Sequence, residues 1–236
     1  MNPDLANARD GANINIPDLT TPRRVHVVGA GGAGMGAIAS VLNTMGHRVT
    51  GSDLKDGPIS ERLRAAGISV SVGHDAVNVG DAELVAISTA IPNHNPEVVA
   101  AREAGIPVLR RSDILPAIAA QRRTVVVSGT HGKTTTSSML ALVLVEAELN
   151  PSFIIGGDVN EIGSGAVWDD GEWFVIEGDE SDRTFLSLGG ELAIVTNVEP
   201  DRLETYDNDP ALLVEAFEEF AGQAQMRVMC ADDAGA

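Results

Sequence analysis

One cysteine, one tyrosine and two tryptophans are all that this chain of 236 residues holds of those types. The lone thiol, Cys230, has no partner for an internal disulfide and fits a reducing compartment, so a cytoplasmic location is expected. Aromatic residues make up 3% of the chain, and platforms on which single-stranded bases could stack are scarce. Basic residues are also few: 16 Lys+Arg against 34 Asp+Glu give a net charge of −18. Such a surface does not draw in nucleic acid or anionic membranes through bulk charge, so neither is expected as a partner. Any phosphate must be held locally, by glycine turns and a few cations. No apolar run approaches the roughly 18 residues of a membrane span. The opening MNPDLANARDGANINIPDL lacks the basic start and apolar core of a secretory signal. Residues 1–21 are polar and aperiodic and read as a mobile N-terminal tail, in which Ile14, Ile16 and Leu19 have no fixed docking place.

What the chain does have is alternation of short apolar runs and amphipathic stretches. Val25–Val28 reads as a buried strand, followed by Gly29-Ala30-Gly31-Gly32-Ala33-Gly34, a helix over Ala37–Met45, and a second strand ending at Asp53. A G-x-G-x-x-G turn between strand and helix, with a carboxylate about 20 residues on, is the fingerprint of a fold that binds a pyrophosphate and a ribose. NAD, FAD and UDP-sugars all offer those groups. The alternation continues through a helix at Ser60–Ala66 and strands at Ile68–Val70 and Ala82–Ser88. A helix at Asn95–Ala104, a strand at Pro107–Leu109 and a helix capped by Ser112 complete it. This spacing predicts a parallel sheet with helices on both faces, and loops such as Ser88-Thr89-Ala90 at the ligand cleft. His94 reads as a solvated loop residue.

Gln121-Arg122-Arg123 is a polar joint, and a second unit is expected from residue 122. It opens with Val125–Val127 running into Ser128-Gly129-Thr130-His131-Gly132-Lys133-Thr134-Thr135 and a helix through Glu146. The usual phosphate loop has a glycine five residues before Gly132. Here Val127 stands there, and the motif is a shortened G-T-x-G-K-T. Strand, glycine turn and helix N-terminus aim backbone N–H groups at an anion, a lysine adds charge, and a hydroxyl can hold Mg²⁺. Pro151–Ile155 reads as a strand, Gly156-Gly157 as a turn and Gly163–Gly171 as a loop. Trp173–Ile176 then runs into Glu177-Gly178-Asp179-Glu180-Ser181-Asp182. A carboxylate at the end of a strand beside a phosphate loop commonly holds the metal, and Glu177 has that position. Asp179, Glu180 and Asp182 read equally well as a solvated acidic loop. Strands at Leu192–Thr196 and Met226–Cys230 flank a helix at Pro210–Ala221, with Asp209 as its cap and proline first.

The blocks GAGGAGMGAIASVL, VTGSD, SGTHGKTTT, IEGDESD and VTNVEPD, in this order, resemble the Mur ligase family of peptidoglycan synthesis, from about Arg23 to the end. His131 and Glu180-Ser181-Asp182 are similar to its alanine-adding branch. The resemblance implies a Rossmann-like parallel-sheet domain over residues 22–121, followed by an incomplete phosphate-loop α/β domain over residues 122–236. It implies UDP-N-acetylmuramic acid and L-alanine as partners, ATP as co-substrate and Mg²⁺ as metal. The implied activity is an ATP-dependent ligase acting through an acyl phosphate, serving cell-wall biogenesis, cell shape and division. By the same resemblance Gly129, Thr130, His131, Gly132, Lys133, Thr134 and Thr135 bind ATP, with Lys133, His131 and Glu177 catalytic. Thr134 and Glu177 hold the metal. Gly29, Gly31, Gly32, Gly34, Asp53, Ser88 and Ser181 receive the UDP-sugar. In the family the Asn-x-Glu-Pro-Asp block continues with a metal-ligating histidine, whereas this chain has Arg202, whose guanidinium cannot ligate a metal. Family members also continue beyond this length. The chain is therefore expected to be a fragment of the enzyme, the alternative being an impaired homologue that only binds UDP-muramate or nucleotide.

Overall fold

The computed structural model describes residues 17–159, 163–201, 203–233 and 235–236. Two open sheets follow one another along the chain. The first contains β1 (Arg24–Val28), β2 (Arg48–Asp53), β3 (Ser69–Val72), β4 (Leu84–Ile87) and β5 (Val108–Arg110), in the spatial order β3-β2-β1-β4-β5. All of its pairings are parallel. Its helices are α1 (Ala33–Thr44), α2 (Pro58–Ala65), α3 (Pro96–Glu103) and α4 (Arg111–Ala119). β1 and β4 are buried at every position but Arg24 because both faces of the sheet are covered. Strand order reverses between β1 and β4, and that crevice at the strand C-termini is where an open α/β sheet accepts a ligand.

The second sheet has the order β11-β10-β6-β9-β7-β8. Its strands are β6 (Arg123–Ser128), β7 (Ser152–Val159), β8 (Ser164–Val167), β9 (Trp173–Glu177), β10 (Leu192–Val195) and β11 (Met226–Met229), with helices α5 (Lys133–Glu146) and α6 (Pro210–Gln223). All pairings are parallel except β7 with β8. The α/β architecture expected from the alternation is therefore the one the chain adopts. α1 buries Met35, Ile38, Ala39, Val41 and Leu42, and it packs on the first sheet and on β7 and β8 of the second. One apolar cluster runs from Val27 and Ile38 to Phe174, Phe185 and Phe217, so the two sheets share a core.

Several local expectations are corrected. α1 begins at Ala33, four residues before the expected Ala37, because Gly32 is extended and Gly36 N–H donates to Gly32 O at 2.8 Å, closing a first turn through the glycines. Ser112 is not a cap. α4 starts at Arg111, and Asp113 Oδ2 accepts from the Arg110 N–H at 2.8 Å, half of a capping box. Gly156 and Gly157 are not a turn but lie within β7, and the expected loop at 163–171 contains β8. Their glycines look like breakers locally, yet cross-strand pairing such as Ile154 with Ala166 supplies the backbone bonds. Of the expected tail, residues 1–16 lie outside the described residues, while Leu19 is 4% exposed and belongs to the core. Asp209 caps α6 as expected, accepting from the Ala211 N–H at 2.9 Å. Among the described residues no helix is long and apolar enough to cross a membrane.

Candidate functional site

The first glycine turn is supported by the end of β2. Gly29 N–H and Ala30 N–H both donate to Ser52 O, at 2.8 and 3.0 Å, and Gly31 N–H donates to Asp53 Oδ2 at 2.9 Å. Gly29 has φ +84, a left-handed conformation that a side chain disfavours. At Gly31 a Cβ would stand 2.8 Å from the Asp53 carboxylate, so only glycine lets the turn come this close to the acid. Ser88 closes the other side, its Cβ 3.3 Å from where a Gly29 Cβ would be. Gly32 is exposed, and Gly34 lies in the first turn of α1. Thus Gly29, Gly31, Gly32, Gly34, Asp53 and Ser88 converge at the crevice.

Beneath this turn lies a buried polar network that sequence patterning does not reveal. Glu97 is fully buried on α3. It accepts from Ser52 Oγ at 2.6 Å and Asn78 Nδ2 at 2.6 Å, and lies 3.1 Å from His74 Nδ1. His26 Nε2 stands 3.8 Å away, beyond hydrogen-bond range but within ion-pair range. Burial would push the Glu97 carboxyl up. The polar groups of His26, Ser52 and Asn78 outweigh that and hold it at about 2. Ser52, whose carbonyl anchors the turn, is thereby fixed through its side chain to a carboxylate.

The second glycine turn leaves β6 between β9 and β10. Gly129 has φ +140, and a Cβ there would overlap Thr196 Oγ1, so this position also requires glycine. Gly132, with φ +81, caps α5. β10 and the residues after it grip the turn. Asn197 Oδ1 accepts from the His131 N–H at 2.9 Å, while Asn197 Nδ2 at 2.9 Å and Thr196 Oγ1 at 2.6 Å donate to His131 O. The Thr130 hydroxyl donates to Glu199 O at 3.1 Å and accepts from the Glu199 N–H at 2.9 Å. His131 and Thr135 are exposed at the mouth.

On the other side β9 supplies charge. Lys133 Nζ donates to Gly129 O at 2.6 Å, to Thr130 O at 3.3 Å and to Glu180 Oε2 at 2.7 Å. Glu180 is 5% exposed, so this member of the acidic cluster is not solvated. Tyr206 Oη donates to Glu180 O at 2.5 Å. Burial pushes the Tyr206 phenol up to about 12, so it keeps its donor proton at neutral pH. Asp179 accepts from both the Ser181 hydroxyl, at 2.7 Å, and the Ser181 N–H, at 3.0 Å. Asp182 is exposed and accepts from the Thr184 N–H at 2.9 Å. Thr134 Oγ1 lies 3.3 Å from Glu177 Oε2, and Glu177 Oε1 accepts from the Gly156 N–H at 2.9 Å. A Cβ on Gly156 would sit 2.9 Å from Glu177 Oε2 and 3.4 Å from Thr134 Oγ1, and glycine keeps that space open. A hydroxyl and a carboxylate oxygen facing each other suit a hard cation that retains waters and phosphate ligands. Among the described residues no cluster of three His, Cys, Asp or Glu could hold a metal by itself. Arg202, expected to displace a metal-ligating histidine, lies outside the described residues.

A cavity of about 240 Å³ lies between α1 and α2 of the first unit and β7 and β8 of the second, lined by Ala33, Ala37 and Ile59 on one side and Gly156, Asp158 and Gly165 on the other. Arg62 and Asp158 pair across it at 3.1 Å. Sequence patterning missed Asn197, Glu180, Gly156 and Glu97, because each acts through a contact distant along the chain.

A family model described as "Mur ligase family, catalytic domain" matches residues 24–123, and one described as "Mur ligase middle domain" matches residues 127–235. A curated UDP-N-acetylmuramate–L-alanine ligase from Agrobacterium fabrum is 47% identical over 211 residues, covering 88% of this chain and 45% of that protein. The crystal structure of UDP-N-acetylmuramate-alanine ligase from Thermotoga maritima superposes with a TM-score of 0.84 at 32% identity, over 90% of this chain and 50% of that one. A UDP-N-acetylmuramate:L-alanyl-γ-D-glutamyl-meso-diaminopimelate ligase from Neisseria gives a TM-score of 0.81 at 29% identity, over 91% of this chain and 73% of that one. The chain spans about half the length of the curated relatives it matches. Two glycine turns of different chemistry, joined by one core and matched in order by both family models, place this chain in the Mur ligase family.

Proposed function

We propose that this chain carries the sugar-nucleotide and ATP sites of an enzyme that joins L-alanine to UDP-N-acetylmuramic acid in the cytoplasm. The observation that supports this most is the Thr134–Glu177 pair, 3.3 Å apart beside the Lys133 loop, with Glu177 bonded to Gly156 at the edge of the cavity between the two units. In this reading residues 22–121 hold the UDP-sugar and residues 122–236 belong to the ATP-binding unit. ATP phosphorylates the lactyl carboxylate. The amine of alanine then attacks the acyl phosphate, giving an amide, ADP and phosphate.

Such chemistry asks the protein for alignment and charge rather than for a covalent partner. Gly29, Gly31, Gly32 and Gly34 present backbone to the diphosphate, Asp53 accepts from ribose hydroxyls, and Ser88 borders the same crevice. The N–H groups of Gly129–Thr135 cradle the ATP phosphates. Lys133 exchanges Glu180 for β- and γ-phosphate oxygens. His131 and Ser181 border the carboxylate that reacts. Thr134 and Glu177 would hold Mg²⁺, which when bound neutralises phosphate charge.

Thermal unfolding with added ligands tests the reading. A ligand that binds only the folded chain adds about 2.7 kcal/mol at a hundredfold excess over Kd. UDP-N-acetylmuramate and ATP·Mg²⁺ are each expected to raise the melting temperature, and NAD is not. Stabilisation by NAD alone would replace the ligase reading with that of a dinucleotide oxidoreductase.

A further inference from the structure

We infer that the joint between the two units holds an anion site, centred on Arg122 and built for a small oxyanion that also carries hydroxyl groups. An open cavity of about 580 Å³ lies there, lined by Gln121, Arg122, Glu172, Glu191, Gln223 and Gln225 among others, and it shares no lining residue with either glycine turn. β6 starts at this cavity and delivers the Lys133 loop from its other end, about 17 Å away at the usual strand rise over Arg123–Ser128. Two adjacent arginines border the cavity, and their surroundings differ. Arg123 is satisfied: it meets Glu191 at 2.6 and 2.9 Å and Glu172 at 3.3 Å, and its guanidinium lies 4.0 Å over the Trp173 ring. Arg122, among the described residues, takes part in no ion pair. Its one side-chain hydrogen bond runs from Nη1 to Gln121 O at 3.3 Å, and its Nε is buried without a partner. The Trp168 ring, with its centroid 4.8 Å away, covers one face of the guanidinium and leaves the in-plane N–H edges.

Both carboxylates named in the lining are committed to Arg123, so Arg122 is the uncompensated charge of this cavity, in a chain of net charge −18. Guanidinium donors left unmade are costly, and their complement is an oxyanion taken in the plane of the fork by parallel N–H groups. The cavity has room for far more than a bare oxyanion, and much of its remaining polar lining is amide, from Gln121, Gln223 and Gln225. An amide both donates and accepts, which suits hydroxyl groups. Gln223 and Gln225 are exposed, and the Gln223 amide has only a long bond of 3.4 Å to Glu219, so both side chains can turn to a ligand. The chemistry that fits is a polyol bearing one phosphate or one carboxylate.

The assignment is independent of the ligase reading, and the chain carries its own reporter for the test. Its two tryptophans, Trp168 and Trp173, stack on Arg122 and Arg123, so intrinsic fluorescence reads this cavity rather than the Lys133 loop. Glucose 6-phosphate, gluconate and glucose are titrated against the whole chain at constant ionic strength. A saturable change is expected with at least one of the two anions, which tells phosphate from carboxylate, and none with glucose. Arg122→Gln should weaken that binding by roughly tenfold or more. Gln225→Ala, at an exposed position whose loss spares the fold, should weaken it by about threefold. The absence of a saturable change with either anion overturns the assignment, and so does glucose binding as well as they do. Parental affinity in Arg122→Gln overturns it too. If Arg122→Gln does not fold, the decision falls to Gln225→Ala: weakened binding upholds the site, and parental affinity overturns it.

Discussion

The two glycine turns are the same device built with opposite electrostatics. Each leaves a central parallel strand and enters a helix, and each needs a glycine at positive φ where the chain departs, Gly29 or Gly129. The first turn meets a carboxylate, Asp53, through a backbone N–H. The second encloses an ammonium, Lys133, whose charge is balanced by buried Glu180. The helices that follow also differ. α1 is covered on both sides, whereas α5 buries only Ser137 and Ala141 and leaves Met139 and Val143 more than 60% exposed. The first turn is thus held by the end of β2 and by packing around its helix. The second is held chiefly by the side chains of Thr196, Asn197 and Glu180, just past β10 and β9, which bond to the turn and to Lys133. A strand–turn–helix motif specifies that an anion is welcome; neighbouring strands decide which anion and with what rigidity.

The sharpest way to break this contrast is at the departing glycines of the second turn and the close-approach glycine of the first. Gly129→Ala combines a forbidden backbone angle with overlap on Thr196, and a loss of about 3 kcal/mol or more is expected in urea unfolding. Gly31→Ala, at ordinary φ, has only to displace the Asp53 carboxylate and should cost about 1–2 kcal/mol. Equal losses would erase the distinction between a glycine fixed by backbone angle and overlap together and one fixed by close approach alone.

Charge comes next. Lys133→Ala leaves the Glu180 carboxylate buried without its partner, at a cost of about 3 kcal/mol. Adding Glu180→Gln should recover most of that stability without restoring ATP binding. A double variant as unstable as the single one would show that the lysine stabilises the loop through Gly129 O and Thr130 O instead.

The first turn has its own acid test, through Glu97. Its folded-state pKa is depressed from 4.5 to about 2, so its contribution is complete above the unfolded value and disappears as pH falls from about 4.5 through 2. That contribution is on the order of 2–3 kcal/mol. Stability of the native chain should fall across this window, and Glu97→Gln should flatten the fall. A profile that keeps its slope in the variant assigns the acid lability elsewhere. The smallest expected effect concerns α4. Asp113→Ala should cost about 1 kcal/mol and Ser112→Ala under about 0.5, measured by thermal unfolding, because Asp113 carries the cap bond.

Much of the fold was legible because parallel sheets buried on both faces write themselves as apolar runs. Val25–Val28, Leu84–Ile87 and Val125–Val127 leave no other reading, and the glycines after two of them mark the phosphate turns. Legibility failed where glycine served packing rather than turning. Gly36 lies inside α1 against Ile59, and Gly156 lies inside β7 against Glu177, and neither role has a local signature. Ser112 reads locally as a cap, yet it lies inside α4, and the bond to the Arg110 N–H comes from Asp113. Within the acidic cluster, residue type could not separate buried Glu180 from exposed Asp182, because burial depends on Lys133 and Tyr206 approaching from elsewhere in the chain.

By itself the sequence determined the alternation of strands and helices, the position of both anion turns and the acid that follows each sheet edge. These follow from periodicity, from glycine's freedom at positive φ and from the identity of the residues at strand ends. Only the tertiary structure decided partnership. Asn197 clamps His131 from 66 positions away, and Glu180 neutralises Lys133 across 47. The physical reason is that charges and donors act over a few ångströms in space. A linear pattern records which groups are available, while the sheet order decides which of them meet.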